Sequence, residues 1–228
     1  SMALGVAAVV AIQSFGENLT QAMDQQAKAL LGADLVIRSR QPLTDEAQAL
    51  MESLGGEQSR EVRFSSMVRF PNSNAMRLVQ VRALEKNFPY YGRLKTEPHQ
   101  AAQTFFNSPA ALVDDRILQQ YAIKIGDSVK IGEATFIVAG KLIRIPGEAI
   151  VTSLIAPKIY ISISYLEQTQ LVQKGSRISY RTYFKFKPKT DVEQLVQKIQ
   201  PALNQYHLRS ETVEEQKKDV GRPMEDSY

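Results

Sequence analysis

The chain offers few residues for covalent chemistry: two histidines, His99 and His207, and no cysteine. A hydrolytic nucleophile needs a base within reach. Neither histidine stands in a Gly-x-Ser-x-Gly or comparable context, and both read as surface residues. Asp114 and Asp115 are adjacent carboxylates, yet neighbours on a strand point to opposite faces, and a helix after them makes Asp115 a natural N-cap. Metal chemistry lacks a His-x-x-x-His pair, an EF-hand spacing and any thiolate. No Gly-rich loop precedes a helix in the form that cradles phosphate. The expectation is a protein that is not an enzyme, with no catalytic residue, no metal site and no cofactor.

What remains is chemistry of contact. In the segment Ile143 to Ile155 a turn at Pro146-Gly147 precedes Ile150, Val151, Leu154 and Ile155. These four either form an exposed patch for a lipidic or protein partner or lie buried in a strand pair. Phe15, Leu19, Met23 and Leu30 fall on one helical stripe, suited to packing on the domain or to pairing with a second helix. Tyr180, Phe184 and Phe186 alternate as one face of a strand should, a packing signal before a ligand box.

At 228 residues without disulfides, the chain is long enough for a sizeable core in one elongated domain or two lobes. Its composition, 43% hydrophobic and 23% charged, is that of a folded protein. The net charge of +4 is scattered among both signs, which argues against nucleic acid as a partner. After Ser1-Met2, which reads as a cloning scar, Ala3 to Ile12 is apolar and uncharged. Ten residues cannot span a bilayer, and a signal peptide would need a basic n-region and a cleavage site. The run is therefore expected to be a shortened transmembrane helix continuing into an exposed one, or else a core helix.

Stepping along the chain, Gln13 to Leu31 repeats apolar residues at helical spacing, and Gly32 stops the helix. Ala33 to Arg40 alternates as a half-buried strand, and Thr44 caps a helix over Asp45 to Leu54 that Gly55-Gly56 ends. Strands over Arg60 to Phe70 and Met76 to Leu84 flank a turn at Pro71 to Asn74. After the break at Phe88 to Gly92, Ala110 to Asp114 reads as a strand and Asp115 to Tyr121 as a helix. Val129 to Ile131 and Ala134 to Val138 then form a hairpin. Pro157 to Ser162 is a strand, Tyr165 to Val172 a short helix, Arg177 to Lys187 a strand and Asp191 to Gln205 a helix. Leu208 to Val213 is a last strand before the charged residues Glu214 to Tyr228.

This order resembles the extracytoplasmic domain of ABC transporter permeases of the FtsX and MacB type, and within them the YbbP-like branch. The similarity is carried by Leu31-Gly-Ala-Asp-Leu-Val-Ile-Arg-Ser39, Phe64 to Arg69, Leu78-Val-Gln-Val-Arg82, Leu112 to Leu118, Ile125 to Gly132, Ala156 to Ile161 and Gly175 to Arg181. Their colinear order is the specific signal. The resemblance implies an α+β fold: a porter-like sheet domain (32–88 and 157–213) interrupted by a smaller β-rich lobe (89–156). Residues 1–31 would be a transmembrane stub and stalk helix, and 214–228 the polar approach to the next span. It implies a bacterial inner-membrane permease with this domain on the periplasmic side, working with a cytoplasmic ABC ATPase. A second periplasmic domain or permease half, and a periplasmic protein or lipidic cargo, are the further partners it suggests. The competing expectation is a stand-alone periplasmic binding or regulatory domain.

Overall fold

The computed structural model describes residues 2–144, 157–172 and 177–218; the segment carrying Ile150, Val151, Leu154 and Ile155 lies outside them. The first element is a helix, α1 (Met2–Leu31), about 45 Å long at 1.5 Å per residue. It ends where expected, at Gly32, whose φ of +74° is the left-handed C-cap conformation. No helix among the described residues is long and apolar enough to cross a membrane.

Next come β1 (Leu35–Ser39) and α2 (Asp45–Ser53), the latter capped as predicted by Thr44, whose Oγ1 accepts the Ala47 N–H at 3.2 Å. The long hairpin β2 (Glu57–Phe70) and β3 (Ala75–Leu84) turns through Pro71 to Ser73 and a left-handed Asn74. A connecting stretch holds β4 (Lys95–Glu97) and α3 (Ala101–Thr104). The chain then forms β5 (Ala110–Asp114), α4 (Asp115–Gln120), β6 (Ser128–Ile131), β7 (Ala134–Arg144) and β8 (Lys158–Ser162). The last elements are β9 (Ile178–Lys185), α5 (Val192–Gln205) and β10 (Arg209–Thr212), followed by helical residues 213–218.

Three local expectations need correction. The cap of α4 is Asp114, not Asp115: its extended backbone lets the carboxylate accept the Arg116 N–H at 3.0 Å, while Asp115 already sits in the first turn. The helix expected over Tyr165 to Val172 is two 3-10 turns, Ile163–Tyr165 and Glu167–Thr169. There the Thr169 carbonyl accepts the Glu133 N–H at 3.0 Å from the β6–β7 turn, a tertiary bond that replaces the next helical one. And β1 is not half-buried: Leu35, Val36 and Ile37 are all at most 2% exposed, because both faces of the sheet are covered here.

The strands pair in the order β10-β1-β9-β2-β3-β8-β5-β7-β4, and β6 bridges β7 and β2. That bridge closes β2, β3, β8, β5, β7 and β6 into a six-stranded barrel. Alternation along each strand fills its interior with Val68, Val81, Ile131, Phe136, Ile159 and their neighbours, all buried. Beyond the barrel the sheet runs on through β9, β1 and β10. Leu35, Ile37 and Phe184 there pack under Met51 of α2 and Val196, Ile199 and Leu203 of α5. On the opposite face, Val36, Leu84, Leu112, Tyr160 and Tyr183 are covered by Phe88, Leu94 and Phe105 of the connecting stretch. The aromatic alternation in β9 is thus a packing feature, with Phe184 and Phe186 stacked at 5.7 Å between ring centroids.

Candidate functional site

Where the long helix meets the sheet, local chemistry builds a joint. Asp34, just before β1 and 7% exposed, accepts from three elements. The Lys28 ammonium reaches it from α1 at 3.1 Å, the Tyr91 hydroxyl from the connecting stretch at 3.0 Å, and the Phe186 N–H from the end of β9 at 2.9 Å. Burial, then the Asp34 carboxylate, pushes the Tyr91 hydroxyl up to about 12, so it stays a donor. A cleft of about 410 Å³ opens beside this cluster. Gly32 is required at the corner: beyond its positive φ, an added Cβ would lie 2.9 Å from the Phe88 ring.

The C-terminal end of the described chain returns to this joint. Leu35, the first residue of β1, pairs with Thr212, the last of β10. Thr212 and Glu215 cap the final helix reciprocally, the Thr212 Oγ1 accepting the Glu215 N–H at 3.3 Å and the Glu215 Oε2 accepting the Thr212 N–H at 3.1 Å. Lys217 of that helix forms an ion pair with Asp24 of α1.

From the joint, packed contacts lead inward. Phe88, at the Gly32 corner, has its ring 4.3 Å from that of Tyr183 and 5.7 Å from the Arg82 guanidinium. Behind it lies a buried polar network joining four strands. Glu61 of β2 binds Arg82 of β3 through both carboxylate oxygens, accepts from Arg63 Nε at 2.7 Å, and accepts from the Tyr183 hydroxyl of β9. Arg82 also donates to the Tyr160 hydroxyl of β8, and Arg63 to that of Tyr183 at 2.9 Å. Glu61, Arg82, Tyr160 and Tyr183 are each at most 3% exposed. Register explains the convergence, since Arg63 lies opposite Arg82, and Arg82 opposite Tyr160.

Burial alone would raise the Glu61 carboxyl, but the charges of Arg63 and Arg82 and their hydrogen bonds outweigh it and hold it well below the usual range. The surrounding field is cationic. Lys158 is pushed down to about 8 by burial and by the charges of Arg82 and Arg63. A carboxylate so held is a poor proton acceptor, and the charge-assisted bonds of the network tie the four strands together.

The sequence-predicted contact residues divide. Phe15 (70% exposed), Leu19 (52%) and Met23 (40%) stand out in solvent along α1, whereas Leu30 is half-buried and Ala27 and Leu31 pack on the body. The histidines are exposed, His99 before α3 and His207 in the turn before β10. Asp114 caps α4 and binds the Arg116 guanidinium at 2.6 Å, so the adjacent carboxylates serve local structure. Sequence reasoning missed the Glu61 network. Its only trace is a charge or hydroxyl in strands that otherwise read as apolar, at Arg82 in Leu78 to Arg82 and at Tyr160 in Ala156 to Ile161.

A porter-like α+β sheet that runs into a small barrel, fed by one long helix and left by another at the same corner, defines the class of a permease's extracytoplasmic domain. Residues 1–202 match the MacB-like periplasmic core domain, and the chain belongs to that family. An uncharacterized ABC transporter permease, YbbP, of Escherichia coli (strain K12) is 24% identical over 184 residues, 81% of this chain and 22% of that relative. The chain therefore spans under a quarter of that protein's length. Among solved structures, the periplasmic region of MacB from Actinobacillus actinomycetemcomitans shares the fold at a TM-score of 0.50 and 12% identity, over 88% of this chain and 97% of that one. A domain described as that of a permease from Porphyromonas gingivalis scores 0.50 at 11% identity, over 78% and 89%.

Proposed function

We propose that this domain is the periplasmic body of a bacterial inner-membrane ABC transporter permease, moved by ATP hydrolysis in a cytoplasmic ABC ATPase. The work it performs is export, extraction of a lipid or lipoprotein, or mechanical actuation of a periplasmic protein, and the chain itself catalyses nothing. The single observation that carries this reading is the joint. Both helices meet at one corner of the sheet, and Asp34, Gly32 and Phe88 connect that corner to the buried Glu61 network. A helix about 45 Å long carries displacement with little loss, and a body locked by buried ion pairs moves as a unit. In this reading residues 1–31 continue a transmembrane span and 214–228 approach the next. Residues 89–156 are a lobe carried on the porter-like part (32–88 and 157–213), with β2, β3 and β8 as the seam. Phe15, Leu19, Met23 and Leu30 pair with a helix of a second periplasmic domain or permease half.

The test uses the full-length permease with its ATPase in lipid nanodiscs, spin-labelled at Leu19 and at Gln205, on opposite sides of the joint. Nucleotide trapping is expected to shift the distance distribution between the labels of neighbouring permease halves, and two glycines inserted after Gly32 to abolish the shift at Gln205 while preserving it at Leu19. Distances indifferent to nucleotide at both positions would reject mechanical transmission and favour a stand-alone binding domain.

A further inference from the structure

At the end of the sheet remote from the joint, a cleft of about 750 Å³ opens between the β1–α2 loop and the turn from α5 into β10. Three arginines, Arg38, Arg40 and Arg209, and His207 line it, and among the described residues its lining holds no Asp or Glu. In a chain with 24 acidic residues against 28 basic ones, a cleft of this size lined by one sign alone is a concentration of field.

The register sharpens the point. Arg209 of β10, Arg38 of β1 and Arg181 of β9 lie directly opposite one another across three strands. Like charges facing across a sheet destabilise it. Among the described residues Glu211 forms the ion pairs of this row, with Arg38 and, at 3.6 Å, with Arg181, which stands outside the cleft lining. Among the described residues neither Arg40 nor Arg209 forms an ion pair, and both are exposed. His207 adds a second cost, standing at φ +54° in the turn where glycine would fit without strain.

We infer that this cleft receives an acidic peptide segment of a periplasmic partner protein. Arginine forks bind carboxylates in pairs, and clusters of them read acidic motifs. The amides of Gln41, Asn204 and Gln205 edge the cleft and suit the polar groups of a peptide backbone. Apolar Pro42, Leu43 and Leu208 supply a floor for the side chains between the acids. Position favours a soluble protein over a bilayer: β1 starts at the joint from which both helices leave, and the cleft begins at its other end, Ser39. The choice of a periplasmic partner rests on the proposed membrane-side placement of the two helices, but the cleft's binding of an acidic segment does not depend on mechanical transmission, and either can fail alone.

The experiment titrates the 228-residue chain into a fluorescein-labelled peptide of six glutamates interspersed with leucines, with inorganic phosphate and anionic-lipid vesicles as parallel arms. Saturable one-to-one binding of the peptide is expected, with amide shifts concentrated at residues 39–47 and 204–209. The double variant Arg40→Glu/Arg209→Glu should weaken it by at least about tenfold at a Tm no lower than that of the wild type, since a glutamate at position 209 would face Arg38 as an opposite charge, while Arg77→Glu on β3 leaves it intact. Absence of saturable binding, equal weakening by Arg77→Glu, or preference for phosphate or vesicles over the peptide would overturn the inference.

Discussion

Glu61 answers a buried guanidinium, a half-buried one and a phenol at once, and nothing else among the described residues replaces it. Glu61→Gln leaves Arg63 and Arg82 sharing a neutral partner, and breaking a buried pair in this way costs about 3–5 kcal/mol. The urea midpoint of the purified domain should fall accordingly. The same residue sets an acid limit. Its folded carboxyl is held below the ordinary value of 4.5, so its contribution is complete above that value and is lost progressively as pH falls below it. Wild type should therefore lose more stability between pH 6 and pH 3 than Glu61→Gln does, and equal losses would show that other carboxylates govern acid unfolding.

At the scale of elements the decisive object is the corner between α1 and β1. A left-handed φ of +74° and a ring 2.9 Å from any Cβ both act against a side chain at position 32. Gly32→Ala is expected to destabilise the corner by about 1–3 kcal/mol. Because Asp34 gathers Lys28, Tyr91 and the Phe186 N–H, the change should stay local. Hydrogen exchange should accelerate at residues 28–36 and 184–187, with the barrel strands unaffected. Uniform acceleration would mean that the corner is no separate unit. The exposure of Phe15, Leu19 and Met23 belongs to the same scale: it leaves an apolar stripe of α1 in solvent, the face on which the proposed helix pairing rests.

For the whole molecule, what matters is that the sheet closes. Only two residue pairs, Val68 with Ile131 and Arg69 with Lys130, join β6 to β2 and so complete the barrel around its apolar interior. The β6–β7 turn is held from outside by the 3-10 segment after β8. A Cβ at Gly132 (φ +57°) would lie 2.0 Å from the Thr169 carbonyl oxygen and 2.7 Å from Leu171. Backbone cannot yield as a side chain can, so Gly132→Ala should cost about 3 kcal/mol. Its signature is faster amide exchange in β6 and the second half of β2, with α5 and β10 protected as before. The barrel closes through this short seam and continues into the open sheet through β2, whose first half pairs with β9 over Glu57 to Phe64.

Much of this was legible beforehand in residues whose meaning is local. Thr44 and Gly32 marked helix boundaries because capping depends on a few neighbouring atoms, and the turn at Pro71 to Asn74 announced its hairpin for the same reason. The α+β class and the family likeness came from the colinear order of such pieces. What tertiary structure alone decided is which distant residues face one another. Glu61, Arg82, Tyr160 and Tyr183 are up to 122 positions apart, and only strand register makes them one network. The same holds for the row Arg209, Arg38 and Arg181, and for the carbonyl of Thr169, which a distant turn claims before a helix can form. Short-range chemistry is written in neighbouring letters, whereas charge pairing across a sheet exists only after the chain has chosen its neighbours.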